Sequence, residues 1–146
     1  MPASTLRPGL RHEFTYRVPQ DRTVPRLYPE APEFASMPRV FATGYLVGLI
    51  EWTCIQLVKP HLDWPREQTV GTYIAISHEA ATPPGLDVTT MVELTAVDGR
   101  RLDFDVSAHD GVDAIARGTH RRFVIDSGRF SAKAAAKTRP NANDQP

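Results

Sequence analysis

Three side chains stand out because their chemistry is costly where the sequence puts them. Glu51 sits inside the longest apolar run, Phe41 to Val58. At helical spacing its neighbours are Val47, Gly48, Cys54 and Ile55. A carboxylate there loses hydration unless it finds a partner, and an unpartnered one has its pKa raised. Such carboxylates serve as general bases or nucleophiles. The alternative is a glutamate that reaches the sheet edge and forms a structural salt bridge. His78 alternates onto a face with Thr72, Ile74 and Ile76. It is either a hydrogen-bonded core histidine or, if it meets Glu51 or Thr43, an acid or base. Thr43 begins the apolar run and is read as a helix N-cap. Its position beside free backbone N–H groups suits the binding of a carbonyl oxygen or a developing oxyanion.

Other candidates carry less. Cys54 lies in the apolar run and reads as a small hydrophobe. As the single cysteine it allows neither an intramolecular disulfide nor a cysteine metal cage. His109, Asp110 and Asp113 surround a turn without a second histidine at ligand spacing, so no metal is expected. His120, Arg121 and Arg122 form a short basic cluster, expected at a solvated or dimer-facing edge, where an arginine could hold a phosphate.

The positioning elements follow from pattern. His12–Val18 reads as a strand. Prolines at 19, 25, 29, 32 and 38 make the next stretch irregular. It carries Leu27, Tyr28, Phe34 and Met37, so residues 19–42 are read as a lid-like segment. A helix then runs from Thr43 and stops before Pro60. It is apolar almost all round, which predicts an enclosed helix. Gly44 and Gly48 leave room for a close neighbour. Thr69–Ser77 alternates as a strand, and Pro83-Pro84-Gly85 makes a turn. Val88, Thr90, Val92, Leu94 and Ala96 then share a face, and Asp98-Gly99 marks a hairpin. Leu102, Phe104, Val106 and Ala108 alternate with polar residues, and Asp110-Gly111 leads into a last strand, Ala114–Ile125. Residues 1–130 thus read as one domain, and 131–146 as a disordered tail.

The 146 residues suit one domain with one core. Hydrophobic residues at 41% and charged residues at 23% match a globular chain. Seventeen basic and 17 acidic side chains give no net charge, against a nucleic-acid-binding protein. The N-terminus lacks the apolar stretch of a secretory signal. Glu51 in the apolar run argues against a membrane span, since a mid-bilayer carboxylate costs roughly 2.5–3.5 kcal/mol. A cytoplasmic protein is expected. One helix against one sheet leaves apolar surface uncovered, which predicts a homodimer.

Four blocks carry a resemblance: RLYPEAPEF, VFATGYLVGLIEW, VGTYIAISHEAATPPG and VSAHDGVDAIARGTH. Together they resemble the fluoroacetyl-CoA thioesterase family of hot-dog enzymes, from about His12 to Thr138. The resemblance implies an α+β hot-dog fold, an antiparallel sheet wrapped around one long central helix. It also implies a homodimer with active sites near the interface, hydrolysing a short acyl-CoA without a cofactor. The family's catalytic threonine, glutamate and histidine fall on Thr43, Glu51 and His78. Its active-site glycine matches Gly71, its site-shaping arginine Arg122, and one lid phenylalanine Phe34. Met37 stands where the fluoroacetyl-specific enzyme has a second lid phenylalanine, which bears on selectivity. Glu51 would attack the thioester or activate water, with His78 moving protons. An acyl-CoA hydratase or dehydratase on the same fold, and a non-catalytic acyl-CoA or small-ligand binding module, are the competing readings.

Overall fold

The computed structural model describes residues 5–138. Five strands form one antiparallel sheet: β1 (Arg11–Arg17), β2 (Glu67–Ile76), β3 (Asp87–Asp98), β4 (Arg101–His109) and β5 (Ala114–Asp126). Their spatial order is β1-β3-β4-β5-β2. The chain places β1 and β2 at opposite edges, and the connection between them carries α1 (Pro32–Ala35) and the long α2 (Thr43–Val58). Gly99 and Gly111 have φ of 60° and 86° in the two tight turns that join β3 to β4 and β4 to β5. That left-handed conformation is open to glycine at little cost, which is why Asp-Gly pairs stand there.

The core forms where the sheet faces α2. Leu46, Leu49, Ile50, Cys54, Leu57 and Val58 of α2 are buried, as are Val88, Val92 and Leu94 of β3. Leu102, Phe104, Val106 and Ala108 of β4 bury their alternate side chains there too. The strand patterning therefore predicts this core well. The helix is less enclosed than its all-round apolarity predicts. Gly44, Gly48 and Trp52 are exposed, and Val47 and Ile55 are only half-buried. The sheet covers one side of α2 and leaves the other open.

Two further expectations are corrected. β2 does not keep one face from Thr72 to His78. A bulge at Thr72 and Tyr73 breaks the register with β5, with Gly71 opposite Arg122 and Ile74 opposite His120. The extra residue turns both Gly71 and Ile74 toward the helix side, and His78 lies beyond the strand. The chain from Ser131 is not a disordered tail where it is described. Asp126 caps a helix α3 (Ser127–Ala135) by accepting the Arg129 N–H at 3.0 Å, and a 3-10 turn follows over Ala136–Thr138. Alanine is the best helix former, so an Ala-rich stretch behind a good cap continues as helix. The remainder of the expected tail, 139–146, lies outside the described residues.

The lid-like segment is a succession of short turns rather than an open loop. Gln20–Arg22 and Val24–Arg26 form 3-10 turns, and Pro32 starts α1 at a position where its missing N–H costs nothing. The segment is tied to the start of α2 through Val24 N–H to the Val40 carbonyl and Ala42 N–H to the Arg22 carbonyl. Leu27 lies over Gly44, so close that a Cβ there would meet its Cδ1 at 3.1 Å. Gly48 has no such neighbour among the described residues.

Candidate active site

Thr43 is the first residue of α2, and it does not cap it. The N-cap is Ala42, in an extended conformation, with no side-chain cap bond. The Thr43 hydroxyl instead meets His78 Nδ1 at 2.7 Å. β2 ends two residues before His78, which lets the imidazole reach the helix start. Burial holds the His78 pKa below its ordinary value, so the ring is neutral at pH 7. Its Nε2 is buried without a hydrogen-bond partner among the described residues. A neutral imidazole bonded to a hydroxyl can polarise that oxygen or relay its proton. Val24, Val40, Phe41 and Ala80 line the recess around the pair, about 250 Å³ in volume.

Two turns further along α2, Glu51 meets a different set. Arg122 Nη1 donates to Glu51 Oε1 at 2.9 Å. The arginine side chain is 4% exposed and that of the glutamate 38% exposed, so the charge pair opens to solvent on the carboxylate side only. Arg122 is held from behind. Its Nε donates to Thr69 Oγ1 at 2.8 Å and its Nη2 to the Thr69 carbonyl at 2.7 Å. Its Nη1 also reaches His120 Nε2 at 3.1 Å. Glu51 is therefore paired rather than isolated, and the pairing keeps a carboxylate beside a recess of about 290 Å³ lined by Val47, Gly71, Tyr73, Ile74 and His120.

Gly71 is required by this arrangement. A Cβ built on it would lie 2.7 Å from Glu51 Oε1, 3.2 Å from His120 Cε1 and 3.3 Å from Arg122 Nη1. The first distance is shorter than real Cβ contacts permit, so only glycine leaves the carboxylate in place.

Within the chain these residues make two clusters, not one. Thr43 and His78 form the first; Glu51, Gly71 and Arg122 form the second. Thr43, Val47 and Glu51 follow one another at four-residue spacing, so one stripe of α2 joins the clusters over about 12 Å of helix. Phe34 and Met37 line neither recess. Phe34 stacks on Tyr28 with ring centroids 5.9 Å apart, and Met37 is exposed.

Sequence reasoning misplaced the basic cluster. His120 and Arg122 are both 3% exposed, neither solvated nor at an edge. The signal was present in the alternation: Ala116, His120, Arg122 and Val124 are all buried and keep the even positions of β5, while Arg117, Arg121 and Phe123 face out. Thr69, which anchors Arg122, was not singled out either. Among the described residues no group of histidine, cysteine, aspartate and glutamate side chains could hold a metal ion, and no helix is long and apolar enough to cross a membrane.

The family described as fluoroacetyl-CoA-specific thioesterase matches residues 24–128. A fluoroacetyl-CoA thioesterase of Streptantibioticus cattleyicolor is 53% identical over 133 residues, covering 91% of this chain and 95% of that one. A solved structure of a fluoroacetyl-CoA thioesterase, a threonine-to-alanine variant with fluoroacetate, superposes with a TM-score of 0.89 at 52% identity, covering 92% of this chain and all of that one. A hot-dog-like protein from Thermanaerovibrio acidaminovorans gives a TM-score of 0.75 at 17% identity over 92% of this chain and 94% of its own, which shows the fold alone. On a family match spanning most of the sequence and a relative more than half identical to it, the chain belongs to the fluoroacetyl-CoA-specific thioesterase family, thioester hydrolases of the hot-dog fold.

Proposed function

We propose that this protein hydrolyses a short-chain acyl-CoA, fluoroacetyl-CoA among the candidates, to the free acid and CoA. The observation that carries the reading is Glu51: a carboxylate held and aimed by buried Arg122, beside a glycine that alone leaves it room. A non-catalytic binding module gains nothing from such a carboxylate, because holding it costs desolvation. The family membership supplies the thioester.

In this mechanism the Glu51 oxygen attacks the thioester carbon, the carbon–sulfur bond breaks to give a mixed anhydride, and a water then hydrolyses that anhydride to free the acid and restore Glu51. Alternatively it takes a proton from a water that attacks the same carbon. Both routes consume one water and yield acid and thiol. Thr43 and His78, apart from Glu51 within one chain, bind the carbonyl oxygen and carry the proton that the departing sulfur needs in an active site at the interface of two copies, where one copy's pair stands beside the other's Glu51. Gly71 and Arg122 shape the site around Glu51, while Phe34 and Met37 contribute from the lid.

The working form is a homodimer. The open side of α2 presents Val47, Trp52 and Ile55, and a second copy covers apolar surface that one sheet leaves bare. A single unpaired cysteine and an acyl-CoA substrate suit the cytoplasm. The test is free-thiol release from acetyl-, fluoroacetyl-, propionyl-, malonyl- and longer acyl-CoA, with enoyl-CoA hydration assayed in parallel. Glu51→Gln, which keeps volume and removes the charge, should lower thiol release at least 10²-fold. Hydration without thiol release, or full activity in Glu51→Gln, would sink the reading.

A further inference from the structure

His120 belongs to no catalytic set assigned above, yet its surroundings determine both its tautomer and its charge. Nδ1 lies 2.8 Å from the Tyr73 carbonyl oxygen. A carbonyl only accepts, so Nδ1 carries the proton. Nε2 lies 3.1 Å from Arg122 Nη1, and a guanidinium only donates, so Nε2 offers its lone pair. The ring is neutral. Burial and the adjacent guanidinium both hold its pKa below the ordinary value, consistent with that geometry.

Arg122 Nη1 has two N–H bonds. One points to Glu51 Oε1 and the other to His120 Nε2. With Nε and Nη2 both committed to Thr69, the guanidinium plane has one orientation that satisfies all four acceptors. The bulge in β2 contributes: it sets Ile74 opposite His120 and leaves the Tyr73 carbonyl facing the imidazole.

Resting on the reading of Glu51 as the reacting carboxylate, we propose that His120 is a positioning residue. It directs Arg122 Nη1, and through it the Glu51 oxygen, as a neutral acceptor relayed from the Tyr73 carbonyl. Its ring borders the recess beside Glu51, but both its nitrogens are committed to the Tyr73 carbonyl and Arg122, so it acts through Arg122. Its effect therefore falls on turnover rather than on binding.

The experiment compares wild type, His120→Leu, His120→Gln and Glu51→Gln, with acetyl-CoA as substrate and thiol release as readout. Leucine keeps the volume and removes the acceptor; glutamine restores an acceptor toward Arg122. His120→Leu should lower kcat ~10- to 100-fold, the scale of a small misplacement of a reacting group, with KM changed less than about 2-fold. His120→Gln should recover most of kcat. In a Glu51→Gln background, adding His120→Leu should cost nothing further. An equal loss with and without Glu51 would show a merely structural role and overturn the assignment. So would His120→Leu at wild-type kcat while Glu51→Gln is inactive, a result that leaves Glu51 standing. Wild-type turnover in Glu51→Gln would remove the reading of Glu51 and this assignment with it. Should His120→Leu not fold, the wild type still decides: two-bond ¹H–¹⁵N spectra at pH 7 should show the His120 proton on Nδ1, and a proton on Nε2 would overturn the assignment.

Discussion

A Cβ on Gly71 would stand 2.7 Å from Glu51 Oε1, so this strand position and this helix position exclude any side chain between them. Arg122 holds the carboxylate by the same oxygen, so a side chain at residue 71 would push on the atom that Arg122 positions. Gly71→Ala should therefore displace Glu51 and lower kcat by ~10- to 100-fold. Glycine adopts no special backbone angle here, so the thermal midpoint should change little. Wild-type kcat in a folded Gly71→Ala protein would show that Glu51 Oε1 is not where the reaction needs it.

Stability should depend on pH through half-buried His78 and buried His120. Burial lowers the pKa of both His78 and His120. The unfolded chain then binds more protons than the folded one between the ordinary histidine value, about 6.5, and the depressed folded values. Stability is full above about pH 6.5 and falls as pH drops through that window. Asp110 and Asp126 also have lowered pKa values, but their losses begin only near the ordinary carboxylate range, well below. Urea titrations at pH 5, 6, 7 and 8 should show the decline between 7 and 5. His120→Gln should flatten part of it, and an unchanged slope would assign the loss elsewhere.

Selectivity should respond to the lid. Met37 is exposed, and the family resemblance implies a phenylalanine at this place in the fluoroacetyl-specific enzyme, a more rigid side chain than methionine. A single C–F bond offers little for pocket contacts to grip, and such contacts separate close substrates by about 1–3 kcal/mol. Met37→Phe should raise the fluoroacetyl-to-acetyl ratio of kcat/KM. A wild type that already strongly prefers fluoroacetyl-CoA, with the ratio unchanged in Met37→Phe, would remove the lid from the account.

The open face of α2 predicts its own disruption. Trp52 is 47% exposed and sits against Phe14, with ring centroids 4.7 Å apart. Light scattering at micromolar concentration should give a dimer for wild type. Trp52→Asp, placing a charge in that covered face, should shift the mass toward monomer and lower activity with it. A wild-type monomer at full activity would exclude the second copy.

The strands and the stripe of chemistry are legible in the residues alone. Period-two patterning from Leu102 to Ala108, with glycines where the turns need φ above zero, specifies β4 and its hairpins because burial acts on alternate residues. Thr43 and Glu51 were legible as polar groups in an apolar helix, where their cost is local. Other features depend on contacts made far along the chain. Thr43 reads as a cap from its neighbours, yet its hydroxyl goes to His78, 35 residues away. Arg122 and His120 read as a basic edge, yet the first closes on Glu51 across 71 residues and the second accepts from the first. The bulge at Thr72 and Tyr73, which turns Gly71 inward, leaves no mark in the alternation of β2. Charge and hydrogen-bond partners separated by this much chain meet only when the sheet registers are set, and register is a property of paired strands that no single strand's sequence contains.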